Sequence, residues 1–227
     1  MVISDNDAWI AYPNHRQYYN KLWLSEQLGY NCGPAGVAPS KKDTYIVRPI
    51  MNLYGMGIGT REVILGPEDA DAVEPGYFWC EKFEGVHRSI DYGWIDPITT
   101  AWSFEQKNCL IGEKRSDNQF VFKRWYRDIA FKYHIPPILH GIPHHNSDYR
   151  IEKWNLELVG PHIIEVHLRG SPDPDYDEIV PVFEEWQGIG TTLPEHRIKK
   201  YKFIRDEDTG GGRLKSKRIG FFARNYL

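Results

Sequence analysis

Short strand-like segments joined by turn residues constrain the fold of this chain more than any other feature of its sequence. The segments are rich in β-branched and aromatic residues, and glycine, proline or aspartate separates them. Two of them can pair around a glycine-bearing loop, and two more around Gly160 and Pro161. The pattern predicts mainly antiparallel β structure, with strands at residues 44–51, 61–65, 77–83, 87–95, 100–104, 150–159 and 162–169.

Three other segments have the spacing of amphipathic helices. In residues 17–28 the apolar side chains recur at helical intervals, and Gly29 follows as a stop signal. Residues 122–133 carry aromatic and aliphatic side chains three and four apart, which predicts a core-facing helix. Residues 173–187 show a similar pattern and are predicted to form a closing helix. Helices and strands together predict an α+β fold.

The composition fits one domain, with or without an extension, and excludes several classes of protein. The chain has 227 residues, 41% of them hydrophobic and 14% aromatic, so it can bury a substantial core. No apolar run approaches the roughly 20 residues of a membrane helix. Three cysteines without a Cys-x-x-Cys spacing argue against a disulfide framework or a zinc ribbon. We therefore expect a cytoplasmic protein with no membrane partner.

Positive charge is concentrated near the C-terminal end of the sequence. Residues 195–227 contain ten Lys or Arg residues and four acidic residues, although the whole chain has a net charge of -3. Aromatic side chains are interleaved with these charges at Tyr201, Phe203, Phe221 and Phe222. Such an arm could lie on the acidic body of the protein, on a phosphorylated ligand or on nucleic acid.

The first hairpin has features of a phosphate-binding loop. Its leading strand carries Arg48, and the loop that follows has glycines at alternate positions, Gly55, Gly57 and Gly59. Glycines let backbone N–H groups approach an anion closely, and an arginine can bind it through paired donors. Because a hairpin loop also needs glycine for its turn geometry, both interpretations stay open. No Gly-Lys-Ser/Thr sequence follows, so the loop is not a P-loop.

The second hairpin places acidic residues on one face of a sheet. Glu165 and His167 are two apart on one strand, and the preceding strand can bring Glu157 or Glu152 beside them. Carboxylates on one face repel one another unless a cation holds them, and Mg²⁺ that bridges nucleotide phosphates is one such cation. The alternative is that these are ordinary polar residues of a half-exposed hairpin.

The order of these segments resembles the ATP-grasp superfamily of ATP-dependent carboxylate ligases, from about residue 20 to about residue 172. The segment that begins at Asn20 and Lys21 is similar to the family's lysine-bearing helix. The strand that carries Arg48 resembles the family's Val-Lys-Pro strand, with arginine where lysine is usual. Arginine keeps the charge of lysine but changes the geometry of its contacts.

Two further motifs carry the same resemblance. Residues 80–85 are similar to the family's Glu-x-Phe-x-x-Gly hinge, although only one residue separates Phe83 from Gly85. Glu165 and His167 stand where the family has a Glu-x-Asn metal motif, so His167 replaces the customary asparagine. An imidazole can bind a metal, but it favours softer ions than Mg²⁺.

The resemblance implies an α+β, ATP-grasp-like domain over residues 1–195 and a basic arm over residues 196–227. Two antiparallel-sheet lobes, residues 44–83 and 84–190, with packed helices, would enclose a nucleotide cleft.

The resemblance also implies ATP and Mg²⁺, or Mn²⁺, as cofactors. The expected nucleotide-binding residues are Arg48, Gly55, Gly57 and Gly59 for the phosphates, Glu81, Lys82 and Phe83 for the adenine, and one of His87, Arg88 and Asp91 for the ribose. The expected metal ligands are Glu165, His167 and either Glu157 or Glu152. Glu157 is slightly favoured because Leu156 and Leu158 would then face the core. Arg48, Arg150 and Arg169 are the expected catalytic clamps for phosphate or substrate carboxylate.

The activity implied by the family is ATP-dependent ligation of a carboxylate. The carboxylate is phosphorylated, and an amine or another nucleophile displaces phosphate from the acyl phosphate. Only residues 1–19 precede the lysine-bearing segment, so most of the family's preceding domain is expected to be absent, and the carboxylate substrate could be presented on a macromolecule. Two alternatives are a catalytically degenerate ATP-grasp protein, which Arg48 and His167 favour, and a protein that binds nucleic acid or another protein through its basic arm.

Overall fold

Two antiparallel sheets build the fold of the protein. The computed structural model describes residues 3–53, 57–94, 104–114, 120, 122–142, 151–171, 176–183, 200–205 and 218–225. Within these residues, one sheet has four strands and the other has eight. A few short helices accompany them. The predicted α+β class and the two antiparallel sheets are therefore confirmed.

The small sheet comes from the N-terminal third of the chain. Its strands are β1 (Cys32–Pro34), β2 (Asp43–Pro49), β3 (Arg61–Leu65) and β4 (Tyr77–Glu81), in the order β1-β4-β2-β3. Tyr45 and Val47 alternate with half-buried residues along β2 and pack with Trp79 in a small separate core. The Tyr45 and Trp79 rings meet edge to face, with centroids 5.0 Å apart.

The large sheet contains all the later strands. They are β5 (His87–Trp94), β6 (Phe104–Lys114), β7 (Phe122–Arg127), β8 (Lys153–Val159), β9 (His162–His167), β10 (Glu178–Phe183), β11 (Lys202–Arg205) and β12 (Arg218–Arg224). Their order in the sheet is β11-β12-β10-β7-β6-β5-β8-β9. The second predicted hairpin is thus β8–β9, and β9 lies at one edge of the sheet.

An N-terminal helical segment packs against the β8–β9 side of the large sheet. It consists of α1 (Asp5–Ala11), a 3-10 helix (Pro13–Tyr19) and α2 (Lys21–Gln27). Ser4 caps α1, and Asn20 caps α2 by accepting a hydrogen bond from the Trp23 N–H. Further single-turn 3-10 helices span Ala70–Ala72 and Pro137–Leu139. The main core joins side chains of this segment to the large sheet, among them Tyr19, Leu24, Trp154, Leu156 and Leu158.

Two predicted helices are wrong, because the segments form strands. Residues 122–133 begin with β7, which pairs with β6 and β10, and residues 173–187 contain β10, which pairs with β7 and β12. The aromatic residues that suggested a helix also have high β propensity, and pairing with neighbouring strands decides between the two. Pro181 is tolerated in β10 because β7 pairs only with the first two residues of that strand, Glu178 and Ile179.

The basic C-terminal residues contribute two strands of the large sheet. β12 pairs with β10, and β11 pairs with β12. Phe221 of β12 is fully buried, so its ring is not available to stack on a nucleic-acid base. Arg224 forms an ion pair with the fully buried Glu178, whose other oxygen is 3.0 Å from Arg124. Part of this positive charge therefore serves the packing of the sheet.

A tight backbone contact joins the two sheets. The linker between β4 and β5 contains Gly85, which has a φ of +122°. A Cβ atom placed on Gly85 would lie 2.9 Å from the Cα of Gly160, in the β8–β9 turn, so a larger residue would clash there. The Gly160 N–H also donates to the Val86 carbonyl at 2.9 Å. The linker is thus fixed against the hairpin.

Among the described residues, no helix is long and apolar enough to cross a membrane.

Candidate functional site

The two predicted hairpins meet at Arg48. This residue lies near the end of β2, and one guanidinium N–H donates to the Ile164 carbonyl of β9 at 2.9 Å. The Arg48 guanidinium also lies over the Phe78 ring, 5.1 Å from its centroid. Its Nε has no hydrogen-bond partner among the described residues. Arg48 therefore joins the small sheet to the strand that carries Glu165, and one buried donor stays available there.

The β8–β9 hairpin brings its acidic residues opposite one another. Glu157 pairs with Glu165, and Asn155 pairs with His167. Leu156 on the same strand is fully buried in the main core, so the side chain of Glu157 points to the other face. Glu152 precedes the first residue of β8 and is exposed. The structure therefore brings Glu157, and not Glu152, beside Glu165.

Nitrogen-bearing side chains of the protein already pair with these two glutamates. The Lys21 ammonium lies 2.9 Å from Glu165 Oε1, and its side chain is only 6% exposed. Nε2 of His87 lies 3.2 Å from Glu157 Oε2. Nε2 of His167 lies 3.8 Å from one oxygen of each glutamate. The two carboxylates therefore sit among three nitrogen-bearing side chains.

A third carboxylate enters the cluster from helix α1. One oxygen of Asp5 lies 3.0 Å from Nδ1 of His167, and the other accepts a hydrogen bond from Arg169 at 2.5 Å. The side chains of Asp5, His167 and Arg169 are all less than a tenth exposed. Arg169 was expected to clamp phosphate or substrate, but here it is paired with Asp5.

This charge network shifts the pKa values of its members. Burial alone would raise the pKa of Asp5, but the charges of His167 and Arg169 outweigh it and hold the pKa well below its usual range. Burial would lower the pKa of His167, and the charges of Asp5 and Glu165 raise it instead. Burial also opposes ionisation of Glu157, but the hydrogen bond and charge of His87 lower its pKa to about 2.

The glycine loop reaches the same end of the small sheet. Gly57 and Gly59 have φ values of +60° and +78°. A Cβ atom on Gly59 would lie 2.6 Å from the Tyr77 hydroxyl, so this position needs glycine for space as well as for conformation. Gly55 lies outside the described residues, as does Arg150.

The predicted adenine-binding residues lie at the linker between the sheets. Glu81 accepts a hydrogen bond from the Asn31 N–H at 2.8 Å, so its side chain secures the pairing of β4 with β1. Lys82 forms exposed ion pairs with two glutamates, Glu62 and Glu84. Phe83 stacks on His162 with ring centroids 4.1 Å apart.

His87 does not lie with the linker residues. It is 7% exposed, and its ring contacts Phe122 and Trp125 edge to face as well as Glu157. The structure therefore groups His87 with the carboxylates.

Sequence reasoning missed several members of the site. Asp5 was given no role, and Lys21 was recognised only as part of the segment that resembles the family's lysine-bearing helix. Tyr30 was missed as well; its ring packs against both Phe83 and His162, and its hydroxyl accepts from the Ile163 N–H at 2.9 Å. For Lys21 the sequence offered one usable signal. Asn20 is a helix-capping residue, and a cap at this position makes Lys21 the first residue of α2.

The donor set does not fit a divalent metal ion in this arrangement. Within the described part of the chain, no group of three or more His, Cys, Asp or Glu side chains has a geometry that could hold one. A magnesium ion needs oxygen ligands at about 2.1 Å in octahedral geometry. Here the ammonium of Lys21 lies against Glu165, and His87 against Glu157. The glutamates are therefore held by protein side chains in this arrangement.

Comparisons with known proteins identify the fold. No family model and no curated protein sequence matches the chain. Among solved structures, N5-carboxyaminoimidazole synthetase from Staphylococcus aureus, complexed with ADP, has 10% identity and a TM-score of 0.52, over 92% of this chain and 68% of that one. A protein assigned to the ATP-grasp superfamily from Archaeoglobus fulgidus has 14% identity and a TM-score of 0.36. An L-amino acid ligase from Bacillus licheniformis has 13% identity and a TM-score of 0.42.

The chain has the ATP-grasp fold. It covers 46% of the Archaeoglobus fulgidus structure and 41% of the Bacillus licheniformis structure, and the matches extend over 67% and 70% of this chain. The match to the Staphylococcus aureus structure confirms the fold predicted from the motif order. The chain spans less than half the length of the Archaeoglobus fulgidus and Bacillus licheniformis structures.

Proposed function

We propose that this protein binds ATP between its two sheets and uses it to convert a carboxylate into an acyl phosphate. The observation that carries this proposal is the meeting of Arg48, Lys21 and Glu165 where β2 and α2 approach β9. This arrangement puts two cations from different elements beside neighbouring residues of β9. The shared fold with a synthetase that was solved with ADP supports a nucleotide as the ligand.

The cationic side chains account for the binding of the triphosphate. Arg48 offers a buried N–H without a partner among the described residues, and a phosphate oxygen would satisfy it. Lys21 adds a positive charge at Glu165, the β9 residue next to Ile164, which Arg48 contacts. Backbone N–H groups of the loop around Gly57 and Gly59 would approach the outer phosphates. The base would lie near the linker, where Phe83, Tyr30 and His162 form an aromatic cluster.

The chemistry requires two displacements. A carboxylate oxygen attacks the γ-phosphorus of ATP, the bond from that phosphorus to the β–γ bridging oxygen breaks, and ADP leaves. A nucleophile such as an amine then attacks the acyl carbon, inorganic phosphate leaves, and the nucleophile loses its proton. The protein contributes by holding both substrates in line and by neutralising the negative charge that develops on the transferred phosphoryl group.

We propose that one of the predicted arginines clamps the carboxylate substrate. Arg169 is committed to Asp5 at 2.5 Å, and a role in substrate binding would require this pair to separate. Arg150 is therefore the better candidate for the clamp. The substrate would be a small carboxylate or a carboxylate presented by a macromolecule.

Titration calorimetry with ATP tests the nucleotide part of the proposal. Arg48→Met should weaken ATP binding by at least about tenfold, because hydrogen bonds to charged groups contribute about 1.5–3 kcal/mol. Arg61→Met is the matched control, since Arg61 lies on the same sheet and pairs with the exposed Glu74. Thermal unfolding by circular dichroism checks that both variants fold. Equal affinity of all three proteins, or no ATP binding by the wild type, would contradict the proposal.

Hydroxylamine trapping tests the acyl phosphate. Wild-type protein incubated with ATP, pooled carboxylates and hydroxylamine should release ADP and form a hydroxamate, and both products should fall to background in Arg48→Met. A folded protein that binds ATP but forms no hydroxamate and no ADP would refute the ligase activity and leave a nucleotide-binding role.

The degenerate ATP-grasp protein is the second candidate, and one observation favours it. Glu165 is already paired with the Lys21 ammonium, and Glu157 with the His87 imidazole. The alternative of nucleic-acid binding through the basic residues has less support, because β11 and β12 are strands of the large sheet and Phe221 is buried.

A further inference from the structure

The Lys21 side chain supplies a positive charge to Glu165 of β9. Its ammonium lies 2.9 Å from Glu165 Oε1, and its side chain is 6% exposed, against 15% for Glu165. A buried carboxylate needs a counter-charge, and Lys21 provides it without any bound ion. Glu157, directly opposite Glu165 in the register, has its own partner in His87 at 3.2 Å.

The position of Lys21 is fixed by the fold around it. The Asn20 side chain caps α2, and Lys21 is the first residue of that helix. The Lys21 N–H donates to the Ile50 carbonyl, just after β2, at 2.9 Å. Leu24 and Ser25 of the same helix are buried. Lys21 is thus held at both ends, by its backbone beside the small sheet and by its ammonium on β9.

A divalent ion at these glutamates would have to overcome this arrangement. It would displace the ammonium from Glu165 and then lie beside the displaced positive charge of Lys21. Repulsion between like charges a few ångströms apart is strong in a site shielded from water. The ion would therefore lose much of the affinity that two carboxylates normally supply.

We propose that Lys21 is the resident cation of the Glu157–Glu165 pair and that it prevents these glutamates from taking up a divalent metal ion. The protein then neutralises charge in its cleft with its own side chains. For ATP, this inference rests on the proposed function and predicts that ATP binds without a divalent ion at these residues. The exclusion of the metal ion itself can be tested without any nucleotide.

Manganese binding, followed by the electron paramagnetic resonance signal of free Mn²⁺, tests the inference directly. The wild type should leave the signal unchanged at millimolar Mn²⁺. Lys21→Met keeps most of the side chain's volume but removes its charge, and it should raise Mn²⁺ affinity by at least about tenfold. Adding Glu165→Gln to that variant should abolish the gain. Lys41→Met, which breaks the exposed pair of Lys41 with Asp43, should behave as the wild type does.

Two results would overturn the inference. One is Mn²⁺ binding by the wild type that Glu165→Gln removes. The other is a folded Lys21→Met variant with no gain in Mn²⁺ affinity. If Lys21→Met does not fold, the comparison of the wild type with Glu165→Gln still decides, because Mn²⁺ binding at Glu165 contradicts the inference and its absence supports it.

A nucleotide arm separates this inference from the proposed function. Calorimetry of the wild type with ATP in EDTA and with ATP in excess Mg²⁺ should give affinities within about twofold if Lys21 replaces the ion. A large gain with Mg²⁺ that Glu165→Gln removes would overturn the inference while it supports nucleotide binding. If ATP binds under neither condition, the proposed function fails, and the manganese measurements still decide the role of Lys21.

Discussion

The carboxylate of Asp5 holds helix α1 against the large sheet, and its removal has a calculable cost. Its side chain is 3% exposed and lies 2.5 Å from Arg169 and 3.0 Å from His167. Asp5→Asn preserves the size of the side chain but removes its charge. Arg169 then stays buried without a counter-charge, and breaking a buried ion pair in this way typically costs about 3–5 kcal/mol.

A weaker role for Asp5 predicts a much smaller cost. Asp5 also lies in the first turn of α1, where a carboxylate interacts favourably with the helix dipole. That interaction contributes only about 0.3–1 kcal/mol. The magnitude of the loss therefore distinguishes a buried ion pair from a helix-end charge.

Urea unfolding, followed by tryptophan fluorescence at neutral pH, measures this cost. With a urea slope near 3 kcal/mol per molar, the unfolding midpoint of Asp5→Asn should fall by about 1–2 M. Asp43→Asn is the control, because Asp43 pairs with Lys41 on the surface and its loss should leave the midpoint unchanged. An Asp5→Asn midpoint within about 0.3 M of the wild type would refute the buried-pair role, since it corresponds to about 1 kcal/mol.

Two further predictions follow from the same structure. Because Asp5 raises the pKa of His167, protonated His167 stabilises the fold below the imidazole's unfolded pKa of about 6.5, and this contribution is lost as pH rises through the higher folded pKa. The urea midpoint of the wild type should therefore fall from neutral to mildly alkaline pH more than that of Asp5→Asn, and equal falls would contradict this coupling. Gly85→Ala should lower the melting temperature more than Gly36→Ala, because both have positive φ but only the first meets backbone, at Gly160; equal losses would show that the contact is unimportant.

Local sequence patterns were sufficient where the turn and the burial pattern agreed. Both hairpins were predicted, and Leu156 and Leu158 are fully buried, as their alternation with Glu157 indicated. The helix at residues 17–28 was placed correctly in part, because α2 ends just before Gly29, whose φ is +73°. In each case the signal in the sequence is local: a turn sequence, an alternation of side chains or a helix stop.

The helix predictions for residues 122–133 and 173–187 were wrong for a different reason. Their side chains can satisfy helical spacing and strand packing equally well, so the contacts between distant strands decide. Glu178 of β10, for example, pairs with Tyr126 of β7, and Val180 pairs with Phe222 of β12. A proline at position 181 in the predicted helix was the local signal against it, since proline breaks a helix interior.

The position of the acidic pair could be predicted from the sequence, but the group that balances its charge could not. Spacing two apart on a strand is enough to place Glu165 and His167 on one side of a sheet, and pairing then brings Glu157 beside them. The spacing does not determine which charged groups pair with Glu165 and His167, because Lys21 and Asp5 approach from segments more than 140 residues earlier in the chain. Either a bound ion or a protein side chain would satisfy the same acidic pair. The choice depends on how the N-terminal helices dock on β9, and in this fold they bring an ammonium to Glu165.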